Sequence, residues 1–234
     1  MRALSDLSKL VYLNILTLIF CLPVVTAGAS LAAMHYVIME MIEERGGTIL
    51  SEFWKRFRQN LRSATPIWLI LLAAGLFLYG DFRLIEGGQA GIPKAMLIPV
   101  MALAVILMAI SVYVIPLTAR FEYTTGGAFR NAAILAVAYL PRTLLMMVIM
   151  TVIPYILLNV TRLLPLFFLL GISLPSYLCA LVYLPVFKKM AGEEEAAGED
   201  EWHIDDSEND PKGDPEGNTE AGEEEEAEQA GTER

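Results

Sequence analysis

Long uninterrupted runs of apolar residues dominate the first 190 positions of the chain. Five stretches of at least 18 residues carry no Asp, Glu, Lys or Arg. They are Leu10–Met39, Ser63–Gly80, Ala95–Ala119, Thr143–Thr161 and Leu163–Phe187. A helix that spans a bilayer needs roughly 20 mostly apolar residues, because each residue adds about 1.5 Å across a hydrocarbon core of about 30 Å. The pattern therefore predicts an all-α protein built as a polytopic transmembrane helical bundle.

The first run, Leu10–Met39, is too long for one ordinary span and contains two interruptions. Pro23 removes a helix hydrogen bond and Gly28 loosens the backbone. The run is therefore either one long kinked helix or two short spans, Leu10–Thr26 and Ala27–Ile42. A re-entrant or surface-lying second helix is a further interpretation. The prediction is six spans, with five as the alternative.

The distribution of Lys and Arg favours the six-span topology. Cytoplasmic loops of membrane proteins carry an excess of these residues. Two short spans place 12 Lys and Arg residues on the inner side and three on the outer side. The inner segments are the N-terminus (Arg2, Lys9), residues 43–62, residues 120–142 and Lys188–Lys189, and the outer ones are residues 81–94 and Arg162. Both termini are then predicted to be cytoplasmic.

The C-terminal segment has a different composition. Residues 192–234 contain 19 acidic side chains and two basic ones, so this tail has a formal charge of −17, whereas residues 1–191 have a formal charge of +7. Such a segment buries too little apolar surface to offset its conformational entropy. The sequence predicts a transmembrane domain, residues 1–191, followed by a disordered acidic cytoplasmic tail, residues 192–234.

A basic amphipathic helix is predicted before the span that starts at Ser63. Phe53, Phe57 and Leu61 recur at intervals of four residues and share one helix face, while Lys55, Arg56 and Arg58 lie away from it. One interpretation is an interfacial helix that anchors the topology. The other is a surface that docks a cytoplasmic partner. The candidate docking residues are Phe53, Trp54, Lys55, Arg56, Phe57 and Arg58.

Polar residues within the predicted spans are few. The main ones are Asn14, Thr17, Thr26, Ser30, His35, Glu40 and Asn159. Ionisable groups inside a membrane are functional candidates, which singles out His35 and Glu40. Five residues separate these two, about 140° around a helix, so the spacing does not predict a direct pair.

Enzyme and cofactor motifs are absent from the sequence. The chain has two histidines, His35 and His203, and contains no HExxH, GxSxG or P-loop pattern. No Cys or His cluster has metal-ligand spacing, and no basic nucleic-acid-binding motif occurs. Cys21 and Cys179 both lie in predicted spans, where cysteine is usually an inert small apolar residue. We therefore expect no enzymatic activity, no cofactor, no metal and no nucleic-acid partner.

Two motifs in fixed order resemble a known family. The first is L-P-V-V-T-x-G-A, carried by Leu22–Thr26, Gly28 and Ala29, and the second is F-W-x-x-F-x-x-N, carried by Phe53, Trp54, Phe57 and Asn60. Two later groups, Arg130–Asn131–Ala132 and Leu140–Pro141–Arg142, also fit. The chain resembles the YesL-type family of bacterial integral membrane proteins of unknown function over roughly residues 5–190. The acidic tail is not part of the resemblance.

The resemblance implies a role but no catalytic residue. Members of this family look like companions of carbohydrate uptake systems, which implies a multi-pass protein of the bacterial cell membrane that acts as an accessory or regulatory subunit. Besides the lipid bilayer, the implied partners are sugar ABC transporter subunits, and a homo-oligomer is a further candidate assembly. The alternative is a self-contained small-solute transporter or channel. That alternative requires polar groups to converge within the membrane, and the sequence has few of them.

Overall fold

The computed structural model describes residues 2–44, 47–87 and 93–208. Eight α-helices and three short 3₁₀ turns account for nearly all of these residues, and no strand occurs among them. The helices are α1 (Arg2–Cys21), α2 (Ala27–Ile42), α3 (Ile49–Glu86), α4 (Leu97–Arg120), α5 (Thr125–Ala138), α6 (Leu140–Asn159), α7 (Leu164–Leu170) and α8 (Ser173–Glu208). The prediction of an all-α fold is confirmed.

Four helical segments in the described residues are long and apolar enough to cross a membrane. They are Val24–Ile42, Ile49–Glu86, Lys94–Arg120 and Leu140–Asn159. A fifth results if Thr161–Leu170 and Ser173–Gly192, which meet at an angle of 58°, form one broken span. Six spans are not confirmed, since α1 is not among the segments of the described residues that meet this test.

The first apolar run forms two helices joined by a tight turn, rather than one kinked helix. After Cys21 the chain passes through Pro23 into a 3₁₀ turn at Val24–Thr26. The Thr26 hydroxyl donates to the carbonyl of Phe20, 2.9 Å away, and so ties the end of α1 to the start of α2. We call residues 2–42 the α1–α2 hairpin.

Helix α2 lies in the interior of the helical body. Eleven of its 16 residues are buried, and the other five are half-buried. A helix that is apolar all round is either a membrane span or the core helix of a protein. Because α2 is covered by α1, α3 and α4, its apolar character is explained by protein packing alone.

The α1–α2 hairpin ends part-way along α3. The indole Nε1 of Trp68 donates to the carbonyl of Val24 in the hairpin turn, over 2.8 Å. Helix α3 then continues for 18 residues, from Leu69 to Glu86, which corresponds to about 27 Å at 1.5 Å per residue. Two neighbours, α3 and α4, therefore extend beyond the hairpin.

Helix α4 changes character along its length. No residue from Leu97 to Ser111 is buried, whereas every residue from Val112 to Ala119 except Ile115 is buried. The change occurs where α4 passes from the part of the bundle without the hairpin into the part that contains it.

Helices α7 and α8 are separated by a break at Gly171–Ile172. Asn14 of α1 holds this break together: its Nδ2 donates to the carbonyl of Phe168 over 2.7 Å, and its Oδ1 accepts from the backbone N–H groups of Ile172 and Ser173, each at 3.0 Å. Backbone groups at helix ends have no partner within their own helix. The buried Asn14 amide therefore replaces the hydrogen bonds that the break removes.

The chain divides into two compact units, Met1–Met190 and Ala191–Arg234. The second unit starts one residue before the predicted acidic tail, residues 192–234. Helix α8 ends at Glu208, and the disorder of the tail stays a prediction. The segment Glu193–Ala197 is made of Glu and Ala, which are strong helix formers. Residues 209–234 lie outside the described residues, so disorder there stays a prediction.

Candidate functional site

The apolar face of the predicted amphipathic helix is buried within the protein. Phe53 and Phe57 of α3 are both buried, and the ring of Phe20 from α1 contacts them with centroid distances of 5.7 Å and 4.8 Å. Two of the six candidate docking residues therefore belong to the core. The segment is also the first part of the continuous helix α3 rather than a separate interfacial helix.

The opposite face of α3 is exposed and basic. Its exposed side chains recur at intervals of three or four residues and so form one stripe along the helix. We call this the cationic stripe; it consists of Trp54, Lys55, Arg58, Gln59 and Arg62. The structure thus keeps Trp54, Lys55 and Arg58 of the docking prediction on the surface and adds Gln59 and Arg62.

Arg56 does not belong to this stripe. Its guanidinium carbon lies 3.6 Å from the ring centroid of Tyr36 in α2, and Nη2 donates to the Tyr36 hydroxyl. Cation–π contacts of this kind stabilise a pair by about 0.5–2 kcal/mol. Half-buried Glu40 lies one turn from Tyr36 and interacts with the same hydroxyl. Arg56 therefore joins α3 to α2, whereas Glu40 contacts Tyr36 within α2.

His35 and Glu40 are not brought together. His35 is buried, and its Nδ1 lies 3.0 Å from the hydroxyl of Tyr183 in α8. Either group can donate in this hydrogen bond, depending on the tautomer of the imidazole. The two predicted intramembrane polar residues therefore serve separate contacts, one to α8 and one beside Tyr36.

Glu43 forms an ion cluster that the sequence analysis did not identify. Its side chain is only 4% exposed, and Oε1 lies 3.0 Å from Nη1 of Arg120 and 3.6 Å from Nζ of Lys188. These contacts bring the ends of α2 and α4 against α8. In the sequence, Glu43, Arg120 and Lys188 each follow an apolar run, and this position is the signal that could have pointed to them. Their spacing does not indicate that the three runs end at one place in the fold.

A cavity of about 780 Å³ opens beside the distal parts of α3 and α4. Ligand pockets in proteins typically measure about 300–1,000 Å³. The α3 lining residues recur on one helix face from Trp68 to Phe82, and the α4 lining residues do so from Val100 to Ile115. Leu31 and His35 of α2, Met150 of α6, Ile172 and Ser176 complete the lining.

The cavity lining is almost entirely apolar. Its polar side chains are His35, Trp68, Tyr79, Ser111 and Ser176. Three of these already have protein partners: His35 pairs with Tyr183, Trp68 donates to Val24, and the Ser111 hydroxyl donates to the carbonyl of Met108 over 2.8 Å. The cavity therefore offers shape and carbon surface rather than hydrogen bonds.

No group of three or more His, Cys, Asp or Glu side chains that could hold a metal ion occurs within residues 2–44, 47–87 and 93–208. Cys21 and Cys179 are both free thiols, and Cys179 is buried beside the backbone of Met146.

Comparison with known proteins gives one family match. A family model described as "Protein of unknown function, DUF624" matches residues 10–82. The match covers the α1–α2 hairpin and most of α3, including the cationic stripe and the α3 side of the cavity. No curated protein and no solved structure matches the chain.

Proposed function

We propose that this protein is a non-enzymatic accessory subunit of a membrane transport system in the bacterial cell membrane. The cationic stripe carries the proposal. At 38 residues, α3 is about 57 Å long, whereas the hydrocarbon core is about 30 Å thick. Helix α3 is therefore long enough for one end to project beyond the hydrocarbon core. The cationic stripe lies on its N-terminal part, and we place this part outside the core because charged side chains avoid hydrocarbon.

The aromatic packing beneath the stripe supports a docking role. Phe20, Phe53 and Phe57 hold this part of α3 against the α1–α2 hairpin, so a partner meets a preformed surface. Binding to a preformed surface avoids the entropy loss of ordering a segment. Trp and Arg are the residues most enriched among those that dominate binding energy at interfaces, and the stripe offers Trp54, Arg58 and Arg62.

The same proposal gives both termini a cytoplasmic location. In this arrangement the α1–α2 hairpin enters and leaves the membrane on the cytoplasmic side. The chain then crosses the membrane four times, through α3, α4, α6 and the bent pair α7–α8. An even number of crossings returns it to the cytoplasmic side. The Glu43 cluster supports this arrangement because it joins the chain at residues 43, 120 and 188. All three positions lie in segments that carry the Lys and Arg excess of cytoplasmic loops.

The proposed partners are sugar ABC transporter subunits, as the resemblance to the YesL-type family implies. The stripe is complementary to an acidic surface on a cytoplasmic or juxtamembrane segment of such a partner. The test neutralises the stripe with Lys55→Gln, Arg58→Gln and Arg62→Gln, and recovers the tagged protein from native membranes in mild detergent.

We expect transporter subunits to co-purify with the unaltered protein in stoichiometric amount and to fall at least tenfold with the neutralised stripe. The matched control is Arg83→Gln, Lys94→Gln and Arg162→Gln, which removes three exposed cations from the predicted outer face. Equal recovery with both triple variants would refute the docking surface. Recovery of the protein alone, as a defined oligomer, would refute the accessory role.

A second candidate function, a self-contained transporter or channel, is favoured by the cavity of about 780 Å³. Its lining does not suit a sugar, because sugar hydroxyl groups require hydrogen-bond partners and most polar groups here are already paired. Sugar uptake into proteoliposomes distinguishes the two functions. We expect no uptake above that of protein-free liposomes, and saturable uptake would favour the transporter.

A further inference from the structure

The cavity exists because the α1–α2 hairpin is shorter than the helices beside it. The hairpin turn contacts α3 at Trp68, and α3 runs about 27 Å farther. Beyond Trp68, the two helices of the hairpin no longer occupy the space beside α3. This space is the cavity, and α3, α4 and Met150 of α6 line it. Trp68, Leu31 and His35 lie at the end of the cavity nearest the hairpin.

The cavity is continuous with the apolar outer surface of the helices. Leu76, Tyr79 and Met101 line the cavity, and each is more than half exposed. Adjacent exposed residues on the same two helices, Phe77 and Ile98, are also large and apolar. In a bilayer this surface is in contact with lipid tails, so the tails lie at the mouth of the cavity.

The cavity is long enough to hold a lipid tail. The α3 lining residues extend from Trp68 to Phe82, a rise of about 21 Å. One leaflet of the hydrocarbon core is about half of 30 Å thick, which is the depth that a single tail spans. No Asp, Glu, Lys or Arg lines the cavity. A lipid tail makes no hydrogen bonds, so it needs none of the polar partners that the lining lacks.

We propose that this cavity is a binding site for the acyl chain of a membrane phospholipid, which inserts between α3 and α4 with its end near Trp68. The bound chain fills the space above the α1–α2 hairpin and covers apolar surface that would otherwise be exposed. This site is separate from the cationic stripe, so the proposal does not depend on the accessory role.

The test measures quenching of Trp68 fluorescence by brominated acyl chains. The chain has three tryptophans, so the variants Trp54→Phe and Trp202→Phe leave Trp68 as the single reporter. The full-length protein is reconstituted in bilayers of phosphatidylcholine with dibrominated chains and in matched unbrominated bilayers. Gly75→Phe then blocks the cavity, because Gly75 lines it and a side chain added there meets nothing within 4 Å.

Gly80→Phe is the matched control. A side chain added at Gly80 also meets nothing within 4 Å on the same helix, but Gly80 does not line the cavity. We expect brominated chains to quench Trp68 in the reporter protein and in Gly80→Phe, and Gly75→Phe to reduce the quenching at least twofold. Equal quenching in the two variants would overturn the proposal, since Trp68 would then be sensing bulk lipid.

Two other results would also overturn it. Quenching of Trp68 by aqueous acrylamide in place of brominated lipid would mean that water fills the cavity. Absence of both kinds of quenching together with a dimeric protein would mean that a second copy covers it. If Gly75→Phe does not yield a monodisperse helical protein, Ala104→Phe replaces it, because Ala104 lines the cavity from α4. Ala102→Phe, at an exposed position outside the lining, is then the control.

Discussion

The two ends of the helical body are held together by different means. In the hairpin region, residues 2–68, buried hydroxyl groups of α1 and α2 donate to backbone carbonyls: Ser30 donates to the carbonyl of Thr17 over 3.0 Å, and Thr17 donates to that of Leu13 over 2.8 Å. In the distal region, residues 69–111, the described helices carry large exposed apolar side chains and leave the cavity between them. The first region encloses the buried helix α2, whereas in the second no residue of α4 from Leu97 to Ser111 is buried.

This difference separates two roles within one chain. A rigid base can present the cationic stripe to a partner in a constant arrangement. The distal region, whose apolar side chains are exposed, can bind a flexible apolar ligand. Lipid tails are as apolar as aliphatic side chains, so either can cover this surface in a membrane. Substitutions that remove a polar contact should therefore be costly in the hairpin region and mild in the distal parts of the helices.

The largest effect is expected for Asn14→Leu. Asn14 satisfies two backbone N–H groups and one carbonyl at the α7–α8 break, and leucine of similar size leaves all three without these partners. An orphaned buried polar group costs about 1–3 kcal/mol, so the expected loss is at least about 3 kcal/mol. The measurement is thermal unfolding in detergent, followed by circular dichroism.

Asn159→Leu is the control for this prediction. Asn159 is exposed at the end of α6, and its side chain donates to the carbonyl of Tyr155 within the same helix over 2.8 Å. We expect a change within about 0.5 kcal/mol, as for most surface substitutions. Similar melting temperatures for the two variants would contradict the structural role of Asn14.

An intermediate effect is expected for Glu43→Gln. The change removes the buried carboxylate that joins Arg120 and Lys188, and breaking one partner of a buried pair costs about 3–5 kcal/mol. Because Lys188 is 56% exposed and Arg120 19% exposed, their charges are partly solvated without Glu43, so the expected cost is nearer to about 2–3 kcal/mol.

A double-mutant cycle with Arg120→Gln isolates the pair. Residues in contact usually show coupling energies of about 0.5–3 kcal/mol. Additive effects of Glu43→Gln and Arg120→Gln on the free energy of unfolding would show that the ion pair contributes nothing. Arg83→Gln, at an exposed position of the distal region, should be additive with Glu43→Gln.

The sequence predicted the long helices and the break in the first apolar run well, and the surroundings of α2 poorly. The runs Ser63–Gly80, Ala95–Ala119 and Thr143–Thr161 fall largely within α3, α4 and α6, because a run of that length has few structural solutions besides a spanning helix. The run that became α2 is also apolar enough to cross a membrane, yet 11 of the 16 residues of α2 are buried by other helices. Hydropathy reports that a helix avoids water and cannot report whether lipid or protein surrounds it.

The candidate sites show the same limit. Residue spacing placed Phe53 and Phe57 on one face of α3, but only the structure shows that Phe20, 33 residues earlier in the chain than Phe53, covers this face. The Glu43 cluster joins three distant segments, and the cavity arises from the unequal lengths of neighbouring helices. Both depend on tertiary packing between segments far apart in the chain, which the local spacing of residues does not encode.

The smallest effects, and the sharpest contrast between the regions, are expected from the same substitution at two glycines. A Cβ at Gly28 in the hairpin region would lie 2.4 Å from the Cβ of Trp68 and 2.8 Å from the carbonyl oxygen of Ala64. Since neither is the end of a flexible side chain, Gly28→Ala must separate α2 from α3, and overpacking of this kind costs about 1–3 kcal/mol. Gly75→Ala in the distal region meets nothing within 4 Å and should stabilise α3 by up to about 1 kcal/mol, because alanine is the better helix former. Unfolding of both variants under identical detergent conditions checks the pair, and a melting temperature for Gly28→Ala at or above that of Gly75→Ala would contradict the close approach of α2 to α3. The expected difference in sign follows from the space beside each glycine, which is filled by Trp68 and Ala64 at Gly28 and open at Gly75.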